Sequence, residues 1–240
     1  MLIPPQNMEI EKIYCQLQNG SKRSIAICSA NQGEGVTSVA LALAQRNLLA
    51  GHSTLLVDLN LYRPALNTLL SLDSQSLLPQ LNTDTFNSPQ LVTTQEQSTA
   101  LTGITSPCHR DLILKLRRPG VLEQYIDEWH KSFDTIIFDT SPINRVNAKN
   151  IPAERVTAAC DGGLLVVLAG HTTEAMITSA VEKINIAGGQ LFASIYNDRD
   201  NPTLKSELVR EVHRLGHHFK WLARYIKKQI NKSRLLTLEI

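Results

Sequence analysis

A glycine loop, Gly33-Glu34-Gly35-Val36-Thr37-Ser38, sits between a strand-like run and a helix-like run, and no other feature restricts the fold of this chain as tightly. Residues 24–30, Ser-Ile-Ala-Ile-Cys-Ser-Ala, read as a short buried strand, and residues 36–50 carry apolar side chains at helical spacing. Two glycines let the backbone turn tightly, so that successive N–H groups and the positive end of the helix converge on one anion. The order and spacing follow the phosphate-binding pattern G-x-x-x-x-G-K-[ST], in which Thr37 supplies the hydroxyl for Mg²⁺. Ala30 stands at the first glycine of that pattern, however, and Val36 stands at its lysine. The loop therefore keeps its amides and its hydroxyl but lacks the cation that ordinarily meets the β- and γ-phosphates. Gly33, Glu34, Gly35, Val36, Thr37 and Ser38 are the candidate nucleotide contacts.

Five further apolar runs extend the pattern. Residues 53–58 and 135–139 form strands that each finish on a carboxylate, Asp58 and Asp139; 163–168 and 191–196 form two more, and 101–104 a shorter one. Helices are predicted over 8–18, from Met8, Ile10, Ile13, Tyr14 and Leu17; with Pro119 in the first turn, followed by Val121, Leu122, Tyr125, Ile126 and Trp129; and over 173–187, stopped by Gly188-Gly189. Near-continuous apolar strands alternating with helices predict a doubly wound, mostly parallel α/β sheet with helices on both faces. The length of 240 residues and a hydrophobic content of 42% fit one large domain. The expected organisation is a lead helix over 1–20, a nucleotide-binding domain over 21–215 with a mobile Ser/Thr/Gln/Asn-rich insertion at 71–100, and a basic amphipathic helix over 216–240.

Ligands of open α/β sheets bind at the carboxyl ends of the strands, where this chain delivers the glycine loop, Asp58 and Asp139 together. Mg²⁺ and a γ-phosphate require anionic oxygen ligands, and an attacking hydroxyl requires a carboxylate to orient it or accept its proton. Asp139, with Thr37, is the candidate for Mg²⁺, and Asp58 for the attacking group. Either aspartate alone would read as a turn or cap residue after a strand.

Composition excludes several classes. A formal net charge of +2 is too mild for a nucleic-acid binder, and no apolar run approaches the roughly 18 residues that span a bilayer. The first residues lack the basic and apolar regions of a signal peptide, so a cytosolic chain is expected. Cys15, Cys28, Cys108 and Cys160 form no C-x-x-C pair and suit a reducing compartment. Residues 217–234 are basic, with Phe219, Leu222, Ile226 and Ile230 on one face; they suit either an anionic membrane surface or packing on the domain. His213 and His217 stand four apart with His218 adjacent, but no acidic third ligand accompanies them, and solvent-facing histidines are the simpler reading.

The chain resembles the bacterial tyrosine kinases that regulate polysaccharide export, relatives of the MinD/ParA P-loop ATPases. Ser29-Ala30-Asn31-Gln32-Gly33-Glu34-Gly35-Val36-Thr37-Ser38 is similar to that family's Walker A. Val57-Asp58-Leu59-Asn60-Leu61-Tyr62-Arg63-Pro64 resembles its second motif, D-x-D-x-R followed by R-P, and Ile136-Ile137-Phe138-Asp139-Thr140-Ser141-Pro142 resembles its Walker B, D-x-x-P. The resemblance implies ATP and Mg²⁺ as cofactors, Mg²⁺ assistance by Asp139, a catalytic acidic role for Asp58, and an adenine-edge role for Asn197. It also implies a membrane polysaccharide co-polymerase as partner, homo-oligomers, and a place at the inner face of the plasma membrane. Three departures each remove a charge: Val36 for the lysine, Asn60 for the second acid, and Tyr62 for the first arginine. The missing lysine predicts crippled catalysis unless Arg63, Arg145 or Lys149 substitutes. The five tyrosines are dispersed, without the family's C-terminal cluster, and the lead segment lacks the arginines of the family's oligomerisation helix. Two alternatives stand beside the kinase: a pseudokinase-like binding module of the secretion complex, and a MinD/ParA-like positioning ATPase.

Overall fold

The computed structural model describes residues 3–64, 66, 86, 89–94, 97–145 and 148–199. The helix expected over 216–240, the histidines 213, 217 and 218, and residues 71–85 of the expected insertion lie outside them. Residues through Asn197 form one compact unit; of the second, Asp198–Ile240, only Asp198 and Arg199 are described.

In chain order the elements are α1 (Met8–Asn19), β1 (Ser24–Ser29), α2 (Val36–Leu49), β2 (Thr54–Leu59), β3 (Gln90–Thr94), β4 (Gln97–Ile104), α3 (Arg110–Leu116), α4 (Val121–Trp129), β5 (Thr135–Thr140), α5 (Ala153–Ala159), β6 (Gly162–Leu168), α6 (Glu174–Ile186) and β7 (Leu191–Asn197). The strands make one seven-stranded sheet in the order β3-β4-β2-β5-β1-β6-β7. Every neighbouring pair is parallel except β3 with β4 at one edge.

Strands β1, β2, β5 and β6 are buried along their whole length, because helices cover both faces. Alternation along each strand assigns the faces. Ile25, Ile27, Leu56, Ile137 and Val166 pack with Leu17 of α1 and the apolar stripe of α2. Ala26, Leu55, Val57, Ile136 and Phe138 pack with Leu122, Ile126 and Trp129 of α4 and Val156 of α5. Cys28, Leu165 and Val167 pack with Ala153, Ala180 and Ile184 from α5 and α6. Helix α1 is clasped to α2 by an ion pair in which Arg46 Nη2 meets Glu11 Oε1 at 2.8 Å, while the same guanidinium lies 4.1 Å from the centre of the Tyr14 ring.

Three features differ from the sequence expectation. The final part of the segment read as a mobile insertion is sheet: β3 and the start of β4 form an antiparallel hairpin at the edge. Helices α3 and α5, of seven residues each, are too short to show a periodic apolar stripe. Pro119 is not in the first turn of α4, which begins at Val121 after Gly120, an N-cap with φ of 84°.

Candidate functional site

The site forms where the loops leaving β1, β2, β5 and β6 meet at the carboxyl edge of the sheet. Register sets the first relationship: Asp58 of β2 lies opposite Asp139 of β5, and Ile27 of β1 lies opposite Asp139 on the other side. Two carboxylates therefore stand on adjacent strands beside the start of the glycine loop.

The loop is held in shape by contacts distant in sequence. Gly35 caps α2 with φ of 103°, a conformation that side chains disfavour. A Cβ at this position would lie 2.6 Å from Asn197 Nδ2, because that amide donates to the Glu34 carbonyl at 2.9 Å. Glu34 is 2% exposed; its Oε1 accepts from Thr172 Oγ1 at 2.7 Å and from Asn31 Nδ2 at 3.2 Å, and its Oε2 is buried without a hydrogen bond. Thr172 Oγ1 in turn accepts from the Leu168 N–H at 3.0 Å, so the loop after β6 braces the glycine loop. Val36 is 7% exposed and belongs to the same apolar cluster as Ile25, Val39 and Ile137. Ser38 is half-buried beside it in α2.

Thr37 Oγ1 donates to Asp139 Oδ2 at 2.5 Å, while Asp139 Oδ1 is buried with no hydrogen bond. Burial first, and the negative charge of Asp58 second, push the Asp139 carboxyl up to about 8, against the opposing pull of the Thr37 hydroxyl and the Asn60 amide. Asp58 is 1% exposed, and its carboxylate accepts the N–H groups of Asn60 at 2.9 Å and Leu66 at 3.2 Å. It holds the turn that follows β2.

On the rim, Arg145 Nη1 donates to the Tyr62 hydroxyl at 2.8 Å, with the guanidinium 5.4 Å from the ring centre. Arg63 and Lys149 are exposed nearby in sequence, on the loops after β2 and β5. The bracing by Thr172 and the pairing of Tyr62 with Arg145 were not read from the sequence, since neither pattern has a local signature.

The donor set fits magnesium and a polyphosphate. A hydroxyl and a buried carboxylate oxygen lacking a partner are hard oxygen ligands, and the glycines free the loop amides for an anion. Together, a parallel sheet, a glycine loop opening α2 and an aspartate at the end of the neighbouring strand define a P-loop nucleotide-binding module.

Within that class the chain is similar to bacterial tyrosine-protein kinases. It is 26% identical over 200 residues to the tyrosine-protein kinase CpsD of Streptococcus pneumoniae, covering 77% of this chain and 80% of that protein. It is also 26% identical over 186 residues to the tyrosine-protein kinase YwqD of Bacillus subtilis, covering 74% of this chain and 73% of that one. The kinase domain of the Escherichia coli tyrosine kinase ETK shares the fold with a TM-score of 0.60 and 18% identity, over 78% of this chain and 71% of that one. Cobyrinic acid a,c-diamide synthase from Mycobacterium smegmatis, solved with bound ADP and magnesium, shares it with a TM-score of 0.56 and 16% identity, over 73% of this chain and 74% of the other. No protein-family model matches the chain. Among the described residues, no helix is long and apolar enough to cross a membrane.

Proposed function

We propose that this protein is a nucleotide-binding regulatory subunit of a capsule or exopolysaccharide synthesis and export system, built on the fold of a bacterial tyrosine kinase and impaired in phosphoryl transfer. The observation that carries the reading is the pairing of Thr37 with Asp139 at the foot of a loop whose lysine position is filled by a buried valine. The loop amides of residues 33–38 bind the phosphates, Thr37 and Asp139 hold the metal, and Asn197 reaches the base side of the site. When bound, Mg²⁺ neutralises charge on the phosphates. Asp58 orients or deprotonates an incoming tyrosine hydroxyl in whatever turnover remains. Val36 offers no charge to the transferring group, and that loss falls on a reaction whose catalysis is almost wholly electrostatic.

By likeness to the kinases, the partner is a membrane-embedded polysaccharide co-polymerase and the site of action is the inner face of the plasma membrane. Homo-oligomers and contact of 217–234 with anionic lipid belong to the same proposal. The domain division into a lead helix over 1–20, a nucleotide-binding domain over 21–215 and a basic helix over 216–240 is likewise proposed.

Calorimetric titration with Mg·ATP, run beside Asp139→Ala and followed by a turnover assay on the same sample, tests the reading. Asp139-dependent binding with little or no turnover is expected. Absence of binding at millimolar nucleotide would overturn the nucleotide site, and turnover matching an active kinase would overturn the impairment.

A further inference from the structure

One exposed cation at the rim of the site is held by a neutral group. Arg145 is exposed, and its guanidinium donates to a phenol oxygen, that of Tyr62. A hydrogen bond between ions is roughly twice as strong as one to a neutral partner, and a guanidinium matches phosphate in a fork that a phenol oxygen cannot fill. The contact with Tyr62 is therefore one that a phosphate can displace.

The backbone puts Arg145 within reach. Strand β5 lies between β1 and β2, so the loop leaving β5 starts between the strand that feeds the glycine loop and the strand that feeds the Tyr62 turn. That loop is fastened to the start of the glycine loop: the Ile143 N–H donates to the Ser29 carbonyl at 2.9 Å and the Asn144 N–H to the Ala30 carbonyl at 3.0 Å. Arg145 is the next residue. Its backbone carbonyl accepts from Asn150 Nδ2 at 3.3 Å, which holds the main chain while leaving the side chain to choose its rotamer. Exchange between rotamers of an exposed side chain takes picoseconds to nanoseconds, so no loop movement is required.

Three other cations lie close in the chain or in the fold. Lys183 Nζ donates to Asn144 Oδ1 at 2.9 Å, and Arg63 follows the Asn60 turn, where its N–H bonds the Asn60 carbonyl and side-chain oxygens at 3.2 Å each. Lys149 lies four residues beyond Arg145 on the same connection.

We propose that Arg145 supplies, from within the same chain, the phosphate-facing cation that Val36 cannot, and that Tyr62 holds it beside the loop until a nucleotide arrives. The inference rests on the nucleotide-binding reading above and deepens it. Binding then involves an exchange: the phenol loses its donor as the phosphate gains one, and the affinity reports the difference.

The test is a titration of the full chain with Mg·ATP and Mg·ADP, using wild type, Arg145→Ala, Arg145→Lys, Tyr62→Phe, Arg63→Ala and Lys149→Ala, with far-UV circular dichroism to confirm folding. Arg145→Ala is expected to weaken ATP about ten- to a hundredfold, the range for loss of a hydrogen bond to a charged group. Arg145→Lys recovers part of that loss, and Tyr62→Phe binds as tightly as wild type or up to about fivefold more tightly, since it lacks the competing acceptor. Wild-type binding that Arg145→Ala leaves within about twofold overturns this inference and spares the nucleotide site, as does a loss confined to Arg63→Ala or Lys149→Ala. If the wild type binds neither nucleotide, both readings fall. Tyr62→Phe keeps the proposal falsifiable should Arg145→Ala fold poorly, because a loss of affinity in that variant contradicts the holding role.

Discussion

The Thr37 hydroxyl donates to Asp139 Oδ2 at 2.5 Å, and this one bond joins the first turn of α2 to the end of β5 in the centre of the sheet. The carboxyl it contacts is fully buried and faces Asp58 across the strand register. Without a metal, two adjacent carboxylates and little solvent favour the protonated form of Asp139.

The pH dependence of stability follows from that. An aspartate ionises near 3.8 when unfolded, and in the fold Asp139 keeps its proton up to about 8. Between those values unfolding releases a proton, so stability falls as pH rises; it is fully present below the unfolded value, and the loss is complete above the folded one. Asp139→Asn cannot ionise and still offers an oxygen to Thr37. In magnesium-free buffer its melting temperature should lie nearest to wild type at about pH 3.5 and exceed it increasingly as the pH rises, by about 3 °C or more at pH 8.5, a difference of one or more kcal/mol. Parallel melting curves across that range would show that Asp139 is ionised throughout.

A close approach makes a second prediction. Gly35 has φ of 103°, and a Cβ there would sit 2.6 Å from the Asn197 amide. Gly35→Ala should cost about 1–3 kcal/mol from backbone strain, with a further contribution from displacing Asn197. Asn197→Ala alone should cost about 1 kcal/mol through loss of its bond to the Glu34 carbonyl. Because the double variant removes the collision along with the hydrogen bond, urea denaturation should give a total below the sum of the two by about 0.5 kcal/mol or more. Strict additivity would mean that the two side chains do not meet.

Much of this architecture is legible in the sequence, and the reasons for the rest are physical. Strands such as Ser24–Ser29 and Thr135–Thr140 are buried on both faces, so their apolar character is continuous and marks them without ambiguity. Strand β3, Gln90–Thr94, is half polar and sits at an edge, which makes it resemble the Ser/Thr/Gln-rich chain before it. The convergence of Thr37, Asp58 and Asp139 follows from strand order alone. The bracing of Glu34 by Thr172 does not, since the partners lie 138 residues apart and both residue types are common on surfaces. The same holds for Tyr62 and Arg145, separated by 83 positions. Arg145 is readable as one of several cations, but only the three-dimensional structure supplies its partner.

Glu34 has its own consequence. It places a negative charge, 2% exposed and with one oxygen lacking a partner, in the loop that is to receive an anion. Glu34→Gln removes the charge while leaving an oxygen for Thr172 and Asn31. Titration with inorganic pyrophosphate should show about three- to tenfold tighter binding, an electrostatic gain on the order of 1 kcal/mol. Unchanged or weaker binding would assign Glu34 a purely bracing role.

Val36 sets stability against chemistry. At 7% exposure in the α1/α2 cluster, its side chain contributes apolar burial that a lysine ammonium cannot replace, although the lysine stem can cover part of the same surface while its head reaches the loop. Val36→Lys should therefore lower the stability of the nucleotide-free protein by about 1–2 kcal/mol. The same variant regains a cation facing the transferring phosphoryl group, and one well-aimed electrostatic group is worth about 100- to 1,000-fold in turnover. Two opposite changes are expected from a single substitution: a lower melting temperature without nucleotide, and a larger rise on adding Mg·ATP together with faster release of ADP. If turnover does not change while the wild type already works at the rate of an active kinase, the loop needs no lysine, and Arg145 would be the first cation to remove in turn. If stability falls and neither binding nor turnover improves, the valine is held by packing that keeps the substituted side chain from the phosphate, and the loop serves as a binding surface whose shape matters more than its charge.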